Sequence, residues 1–470
     1  MSFYQILKSR NIETIPESFY DQIDAWRSWY KGKVDAFHRY RVFNGQDYVS
    51  CERYSMGMGK KVSEDWANLL MNEKVKITLE GEKEQEFFDQ VSQSNNLAVR
   101  MNEMQELKAA LGTVAYVPRV VGAETNIETG EVNGKADEIK IDFVTADRIF
   151  PISWENREIK ECAFSVKQVT GDHEYYYFQI HRKGSNGNYI IENSLFDTTG
   201  GTLTAIPLNS LPQYGNVPER IETGSKNKSF VIDKLNVVNN VDPSLPMGIS
   251  VFANAIDQLK AVDIAYDSYV NEFVLGKKRI MVKPEAVKDL DGEPAFDPND
   301  IAFYIMPEDS QNGSSITEIN MELRTQQHNM GIQDMLNVLS SKCGFGENHY
   351  KYANGNVSTA TQIISENSSM FRTIKKHEIL LESALIELAR IILRLGNEFF
   401  TAGLDEDVEI SVDFDDSIIE DKQAEFARDV QMLSMGILNP WEFRAKYLNE
   451  DEETAKSALP QLEQLVSDVV

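Results

Sequence analysis

The sequence has little of what marks secreted or membrane proteins. It has three cysteines in 470 residues, Cys51, Cys162 and Cys343, which lie far apart and are odd in number. This is not the pattern of a disulfide framework and favours a reducing compartment. No run of about 18 consecutive apolar residues occurs, so we expect no membrane span. The first residues lack a basic flank followed by an apolar block, so we expect no signal peptide.

Basic residues are also scarce relative to acidic ones. The chain has 47 Lys and Arg against 74 Asp and Glu, a net charge of −27. This balance argues against a broad surface that neutralises phosphates, although it does not exclude a duplex that passes through without being gripped. The composition is globular, with 42% apolar and 26% charged residues. At roughly 100–200 residues per domain, the length predicts about two to four lobes.

Catalytic and cofactor motifs are missing from the sequence. Residues 57–61 (GMGKK) lack the spacing of a phosphate loop and are interpreted as a turn before a helix. The six histidines form no zinc motif, and no nucleophile elbow occurs. Acidic residues within 405–421 could hold a divalent metal, but the alternation in 408–414 favours an edge strand with a solvated face. We therefore expect no enzymatic activity, no cofactor and no metal.

The hydrophobic periodicity predicts an α+β protein that is mainly α. Helical spacing predicts helices at 16–30, 62–75 and 82–111, with Ser63 as the N-cap of the second and a break near Asn95 in the third. From about 113 to 208 the period changes to two, which predicts a β-rich insert within a helical lobe. The acidic C-terminal region is predicted to be helical again. Ser417 and Glu420 are a capping-box candidate for its first helix, which we expect to stop at Gly436, and Pro440 is expected at the first position of the next helix.

The middle of the chain predicts two helices joined by a small lobe. An apolar stripe over 249–275 predicts a helix about 40 Å long. Short strands around a segment rich in Pro, Gly and Asp are expected in 276–320. Helical periodicity returns at 321 and continues to about 339, so one helix leads to the small lobe and a second helix leads back.

A second long helix is predicted at 358–400, after an unusual loop at 344–357, and Thr359 and Gln362 are predicted to cap its first turn. If unbroken, this helix would span about 65 Å, a length typical of assemblies or coiled coils, but its stripe is not a strict heptad. The loop is rich in Gly and Asn and contains Tyr350, Lys351 and Tyr352. Aromatic and cationic residues suit passing contact with nucleic acid, whereas an ordinary helix–helix connection is the equally weighted alternative.

Three segments together resemble the portal proteins of tailed bacteriophages, in the branch that infects Gram-positive hosts. They are KKVSEDWANLLMNE (60–73), NVSTATQI (356–363) with SENSS (365–369) and KKHE (375–378), and GILNPW (436–441). The resemblance implies a ring, usually dodecameric, at one vertex of the capsid. It also implies a portal-like division of the chain. The parts are a wing (1–248, with its β-rich insert at about 113–208), stem helices (249–275 and 321–343), a small α/β clip (276–320), a tunnel loop (344–357), a long tunnel helix (358–400) and a helical crown (401–470).

The same resemblance implies the partners. Double-stranded DNA would pass through the ring during packaging and ejection. The clip would dock the large subunit of the terminase and later a head-completion or neck adaptor protein, and the ring would contact major capsid and scaffolding proteins. We therefore expect assembly in the bacterial cytoplasm and a final location in the virion, without membrane contact. The alternatives are another head or neck structural protein and, on the acidic cluster, a metal-dependent packaging nuclease.

Three groups of residues are candidate functional sites within this frame. The candidate DNA contacts in the channel loop are Tyr350, Lys351, Tyr352 and Asn354. The candidate docking residues at the clip are Lys277, Lys278 and Arg279. The candidates for ring assembly are Ile256, Leu259 and Tyr266, because they lie on an apolar stripe that we expect one subunit to leave partly uncovered.

Overall fold

The structure is a computed structural model that describes residues 3–71, 75–123, 136–198, 202–283, 303–305, 316–352, 360–414, 422–448 and 450–459. It is a mixed helix and sheet fold, with 45% of residues in helices and 24% in strands. Helix is therefore more abundant than strand, in the direction that the prediction of a mainly α protein of the α+β class gave.

Twelve α-helices occur in the described residues. They are α1 (Phe3–Ser9), α2 (Glu17–Tyr30), α3 (Asp35–His38), α4 (Met58–Leu70), α5 (Glu82–Ser94), α6 (Leu97–Leu111), α7 (Ile256–Leu275), α8 (Thr325–Lys342), α9 (Ala360–Phe400), α10 (Lys422–Ser434), α11 (Pro440–Leu448) and α12 (Glu452–Ser457).

The described residues also contain sixteen strands. They are β1 (Arg39–Phe43), β2 (Tyr48–Glu52), β3 (Lys76–Leu79), β4 (Thr113–Val121), β5 (Glu138–Thr145), β6 (Ile149–Glu155), β7 (Glu158–Thr170), β8 (His173–Lys183), β9 (Tyr189–Asp197), β10 (Thr204–Ile206), β11 (Arg220–Glu222), β12 (Val231–Lys234), β13 (Arg279–Val282), β14 (Phe303–Ile305), β15 (Ile316–Ile319) and β16 (Ile410–Asp413).

Two details of the N-terminal helices differ from the sequence analysis. Helix α4 begins at Met58, directly after Gly57 in a left-handed conformation (φ 69°), so 59–61 are helical rather than a turn. Ser63 lies inside this helix, where its hydroxyl donates to the carbonyl of Gly59 at 2.9 Å, and the predicted N-cap is wrong. The predicted break between α5 and α6 is confirmed, with Asn96 at φ 50° between the two helices.

The predicted β-rich insert forms two antiparallel sheets. The larger follows the order β10-β9-β8-β7-β6, with β11 also on β9, and the smaller follows the order β12-β4-β5. Far from both in sequence, β16 pairs with β3, and Ile410 lies opposite Leu79. This pairing joins 410–413 to the N-terminal lobe, and the next helix in the described residues is α10.

One large hydrophobic core runs through most of the subunit. It contains buried residues of α2, α4, α6, β4, α7, α8 and α9, from Ile15 to Ile410. Helix α7 starts seven residues after the predicted 249. Val251 N donates to the carbonyl of Ala109, 251–252 form a turn, and a short 3-10 helix at Ala253–Ala255 precedes α7. Helix α8 is likewise shorter than the predicted 321–343. Helix α9 packs against α4, α5 and β4, so it belongs to the same core.

The C-terminal helices largely follow the predicted signals. Gly436 has φ 73° after α10, and Pro440 is the first residue of α11, as expected. The Asp451 carboxylate accepts from Thr454 N at 2.9 Å and caps α12. The predicted capping box of Ser417 and Glu420 lies outside the described residues.

Candidate channel segment and assembly surfaces

Helices α7 and α8 pack side by side and are fastened near the small lobe by one ion pair. Glu272 of α7 accepts from Arg324 through Nε at 2.9 Å and Nη2 at 2.8 Å, and also from the Arg324 backbone N–H. His328 Nε2 lies 3.5 Å from the same carboxylate. The hydrogen bonds from Arg324 lower the pKa of Glu272 to about 2. The two helices are therefore joined by a charged clamp where the chain leaves for the small lobe.

The small lobe begins at the three cations that the sequence analysis selected for docking. Lys277 is exposed, and Lys278 Nζ forms an ion pair with Glu318 at 2.6 Å. The Arg279 guanidinium lies 6.0 Å from the centre of the Tyr304 ring. Strand β13 pairs in parallel with β14 and antiparallel with β15. Lys278 and Arg279 thus contact their own lobe, and Lys277 is the most readily available to a partner.

The segment after α8 is held by an aromatic cluster rather than left as a loose loop. Trp66 Nε1 donates to the carbonyl of Cys343 at 3.0 Å, and its ring lies 4.9 Å from Phe345 and 5.0 Å from His377. Phe345 in turn stacks on His349 at 4.4 Å. These contacts tie the end of α8 to α4 and α9 at the point where the predicted loop begins.

Two glycines in this segment serve tight turns. Gly344 has φ +90°, and a Cβ there would lie 2.9 Å from Thr373 Cγ2. Gly346 also has a positive φ, 88°, and its carbonyl accepts from the Ser340 hydroxyl at 2.6 Å. Both positions therefore need glycine for a compact turn.

The four candidate DNA contacts are not equivalent in the structure. Tyr350 is 8% exposed and packs edge-on to Phe345, so in this conformation its ring faces the subunit interior. Lys351 is exposed, and Tyr352 is half-buried at 6.4 Å from the Tyr269 ring of α7. Asn354 lies outside the described residues, as does Thr359, the predicted cap of the long helix.

Hydrogen bonds between the Gln333 side chain and the backbone hold 350–352 against α8. The Gln333 side chain donates to the carbonyl of Tyr350 at 2.7 Å and accepts from Tyr352 N at 2.8 Å. Burial, followed by the nearby Asp65 carboxylate, raises the pKa of Tyr350. Burial alone would raise the pKa of Asp65, but His349 and Lys61 lower it below its ordinary value. Lys351 therefore lies between two residues whose backbone the Gln333 side chain anchors.

A buried charge network lies behind this segment, among α6, β4 and β12. Lys108 Nζ contacts both oxygens of Asp233, at 2.9 and 3.0 Å, and both side chains are fully buried. Gln105 and the Tyr116 hydroxyl donate to the same carboxylate at 2.9 and 3.1 Å. Burial, together with the charges of Lys108 and Lys376, lowers the pKa of His377 to about 3, so this ring is neutral at pH 7.

The three residues selected for ring assembly face inward to different degrees. Leu259 is 2% exposed in the core of its own subunit, which corrects its assignment as a contact residue, while Ile256 and Tyr266 are half-buried against that core. The most exposed large apolar side chains of the two helices were not selected from the sequence: Ile264 (47% exposed), Val274 (47%) and Leu275 (61%) on α7, and Met330 (62%) and Val338 (47%) on α8, followed by Phe273 (44%) on α7.

The acidic residues after α9 make local contacts. Asp405 accepts from Asp407 N at 3.0 Å, and Asn397 donates to Glu406 at 3.0 Å. In the part of the chain that the structure describes, no group of three or more His, Cys, Asp or Glu is placed to hold a metal. Nothing in these contacts favours the nuclease alternative. Likewise, no described helix is long and apolar enough to cross a membrane.

Fold and site together define a subunit built around long helices, with apolar surface exposed on two of them. The family model for phage portal proteins of the SPP1 Gp6-like type matches residues 10–465, and the chain belongs to this family. It is therefore a portal protein, a structural component of the virion in a family of non-enzymatic proteins.

The chain is also similar to a solved structure described as the neck of a native GTA particle computed with C12 symmetry. The identity is 11% and the TM-score 0.40, over 82% of this chain and 88% of that one. No curated protein matches the sequence.

Proposed function

We propose that this portal protein forms a ring, most simply a dodecamer, whose central channel passes double-stranded DNA at one capsid vertex. The observation that carries the ring is the exposed apolar surface of α7 and α8. Five large apolar side chains on these two helices are between 47% and 62% exposed. Interfaces of permanent assemblies bury on the order of 2,000 Å² or more and are comparatively hydrophobic, so neighbouring copies are the natural cover for such surface.

We propose the portal-like division of the chain that the resemblance implies. Helices α7 and α8 form the stem, and the β13–β15 unit forms the clip at its end. The segment around Lys351 points to the channel, and α9 links it to the wing. Helices α10 to α12 form the crown. The resemblance in the three sequence segments supports a phage of the branch that infects Gram-positive bacteria, with assembly in the host cytoplasm.

Charge supports a channel through which DNA slides. Affinity for a duplex grows with the number of phosphates that a protein neutralises, so a strongly basic channel would hold DNA back. A subunit with net charge −27 supplies a weak repulsive field instead. Lys351, an exposed cation in the proposed channel segment, offers DNA brief contacts that exchange rapidly.

The clip is the proposed docking site for the packaging motor and the neck. Lys277 is exposed at the junction of α7 and β13, where a partner of the opposite charge can reach it. We assign the large subunit of the terminase and then a head-completion or neck adaptor protein to this end. Major capsid and scaffolding proteins are assigned to the wing side.

Light scattering on stem variants tests the ring. Ile264→Asp places a charge on the exposed apolar surface and should leave the subunit folded but release it from the ring. Val99→Asp is the matched control, because Val99 is an apolar residue of α6, outside the proposed stem, and is 63% exposed. The proposal predicts ring mass for Val99→Asp and a large fraction of about 53 kDa subunit for Ile264→Asp. Ring mass for both variants would contradict an interface at α7.

A further inference from the structure

A cleft beside α9 carries a local excess of positive charge on this acidic subunit. It has a volume of about 620 Å³ and lies between the ends of β7, β8 and β9, the segment 226–228 and the middle of α9. Six cations line it against two carboxylates. The cations, which define the basic cleft, are Lys160, Lys183, Lys226, Lys228, Arg390 and Arg394.

The two carboxylates do not balance the cations of the basic cleft. Lys160 Nζ lies 2.7 Å from Glu158, and Lys228 Nζ lies 3.1 Å from Glu387. The hydrogen bond from Lys160 and the charge of Lys228 outweigh burial and lower the pKa of Glu158. The exposed cations that form no ion pair with a described residue are Lys183, Lys226 and Arg390. Because like charges held close together repel, an anionic partner would stabilise this cleft.

A second cleft, between β3 and α5, has the opposite charge. It has a volume of about 890 Å³, and its charged residues are Lys76 and four carboxylates. The carboxylates, which we call the acidic face, are Glu80, Glu82, Glu86 and Asp89. All four are exposed, and none is ion-paired within the part of the chain that the structure describes. An acid in the first turn of α5 favours the helix dipole, but Glu86 and Asp89 lie beyond that turn.

The basic cleft is turned away from the contact between α9 and α5. The Phe87 ring of α5 lies 5.9 Å from the Phe400 ring of α9, and a Cβ at Gly396 would lie 2.7 Å from Phe87 Cε1. At 3.6 residues per turn, Arg390 and Arg394 lie roughly 120° around α9 from Gly396 and Phe400. The cations of α9 therefore face away from α5.

The acidic face is turned away from the same contact. On α5, Glu86 and Asp89 lie roughly 130° around the helix from Phe87, which packs on α9. The two charged surfaces thus point away from each other, and a subunit does not cover one with the other.

We propose that the basic cleft of one copy receives the acidic face of the neighbouring copy, which forms a charged contact between adjacent wings. This inference rests on the proposed ring. In a cyclic ring each contact joins two different surfaces, so every copy offers one basic cleft and one acidic face. This contact gives both surfaces their counter-charge. A DNA duplex would instead meet the repulsion of a subunit with net charge −27 and would leave the acidic face unpaired.

Charge reversal on each side, followed by charge exchange, tests the contact. Lys226→Glu with Arg390→Glu reverses the basic cleft, and Glu86→Lys with Asp89→Lys reverses the acidic face. Each pair of changes should raise the protein concentration needed for half-assembly of the ring by about tenfold or more. The four changes together place opposite charges against each other again and should return that concentration to within about threefold of the parent value.

A control for net charge and the combined variant make the outcome decisive. Lys31→Glu with Lys33→Glu makes the same change in net charge at two exposed lysines after α2 and should leave assembly close to that of the parent. A folding defect in one reversed subunit would not be repaired by reversing the other surface, so failure of the four changes to restore assembly would overturn the contact. Rings of Lys226→Glu with Arg390→Glu that assemble like the parent but lose binding of a short DNA duplex would also overturn it and would assign the cleft to nucleic acid. Absence of any ring from the parent protein would instead refute the proposed function.

Cross-linking in the assembled ring gives a second readout. The background is Cys51→Ser, in which the two remaining cysteines are buried: Cys162 (0% exposed) and Cys343 (3%). Arg390→Cys with Glu86→Cys in one chain should give a ladder of linked copies with a short bismaleimide, because each thiol would lie near its partner on the next copy. Lys31→Cys with Glu86→Cys should give no such ladder. Equal yields from the two variants would overturn the inference.

Discussion

Replacing Lys108 with methionine should destabilise the wing beside α9 far more than the same replacement of a surface lysine. The Lys108 ammonium and the Asp233 carboxylate are fully buried and lie 2.9 Å apart. Methionine keeps most of the side-chain volume but leaves a buried carboxylate with hydrogen bonds from Gln105 and Tyr116 alone among the described contacts. Removing one partner of a buried pair typically costs about 3–5 kcal/mol.

Hydrogen exchange measures this cost locally in the assembled protein. A loss of about 3–5 kcal/mol corresponds to roughly 100- to 5,000-fold faster exchange of amides that open with this region. The peptides to follow are those of β4 and β12, which carry Tyr116 and Asp233. The subunit concentration must be the same for all variants, because assembly itself adds apparent stability.

Two control variants make the test decisive. Lys167→Met removes an exposed pair with Glu174, whose side chains are 38% and 47% exposed, and should cost less than about 1 kcal/mol. Lys108→Met combined with Asp233→Asn removes both charges and should recover part of the loss. If Lys108→Met exchanges no faster than Lys167→Met, the network contributes little and the reasoning is refuted.

Three further predictions concern the channel and the dependence on pH. Lys351→Glu should leave ring assembly intact and reduce packaged or retained DNA. Lys8→Glu makes the same charge change on α1 and should not reduce the DNA. Equal DNA content in particles of both variants would contradict a channel contact. The free energy of unfolding should fall by up to about 2 kcal/mol as the pH is lowered from about 6.5 to 5, because His377 stays neutral in the folded protein and takes up a proton on unfolding. Thermal melts of His377→Gln should show a smaller fall. Glu272, with a pKa lowered to about 2, should stabilise the stem above about pH 4.5 and lose this effect as the pH falls towards 2. The melting temperature of Glu272→Gln should therefore lie below that of the parent protein at neutral pH, and the difference should shrink as the pH falls. A constant difference would contradict the clamp with Arg324.

Periodicity and punctuation in the sequence predicted much of the helical framework. The break near Asn95, the stop at Gly436 and the start at Pro440 depend on local backbone preferences, and the structure has them at those residues. Ser63 failed as a cap because helix α4 extends back to Met58, where Gly59 packs so closely on Trp29 that a Cβ would lie 2.5 Å from the Trp29 carbonyl. That contact depends on the packing of two helices and is not visible in a local pattern.

The candidate site was harder to predict for the same physical reason. An apolar stripe shows that a helix buries one face, but it does not show whether the cover comes from the same subunit or from another. Leu259 belongs to the first case, and Ile264, outside the selected residues, remains exposed. Tyr350 was selected by its neighbours in sequence, yet it is buried against Phe345 and beside Asp65, which is distant in sequence.

The sequence analysis did not predict the β1–β2 hairpin, although a signal for it exists. Residues 44–47 read Asn-Gly-Gln-Asp between two apolar stretches, and an Asn-Gly pair in this setting is a strong indicator of a hairpin. The strand pairing from Arg39 to Glu52 follows that turn. What no pattern could show is that its own subunit would leave eight of the ten strand residues of this hairpin exposed.

Single-particle electron microscopy of the purified protein tests the central claim most directly. The account predicts closed rings with a central channel wide enough for a duplex, in which α7 and α8 of each copy contact the next copy and Lys351 faces the lumen. A reconstruction in which the protein stays monomeric, or forms rings with α7 and α8 away from the channel and from all subunit contacts, would contradict it.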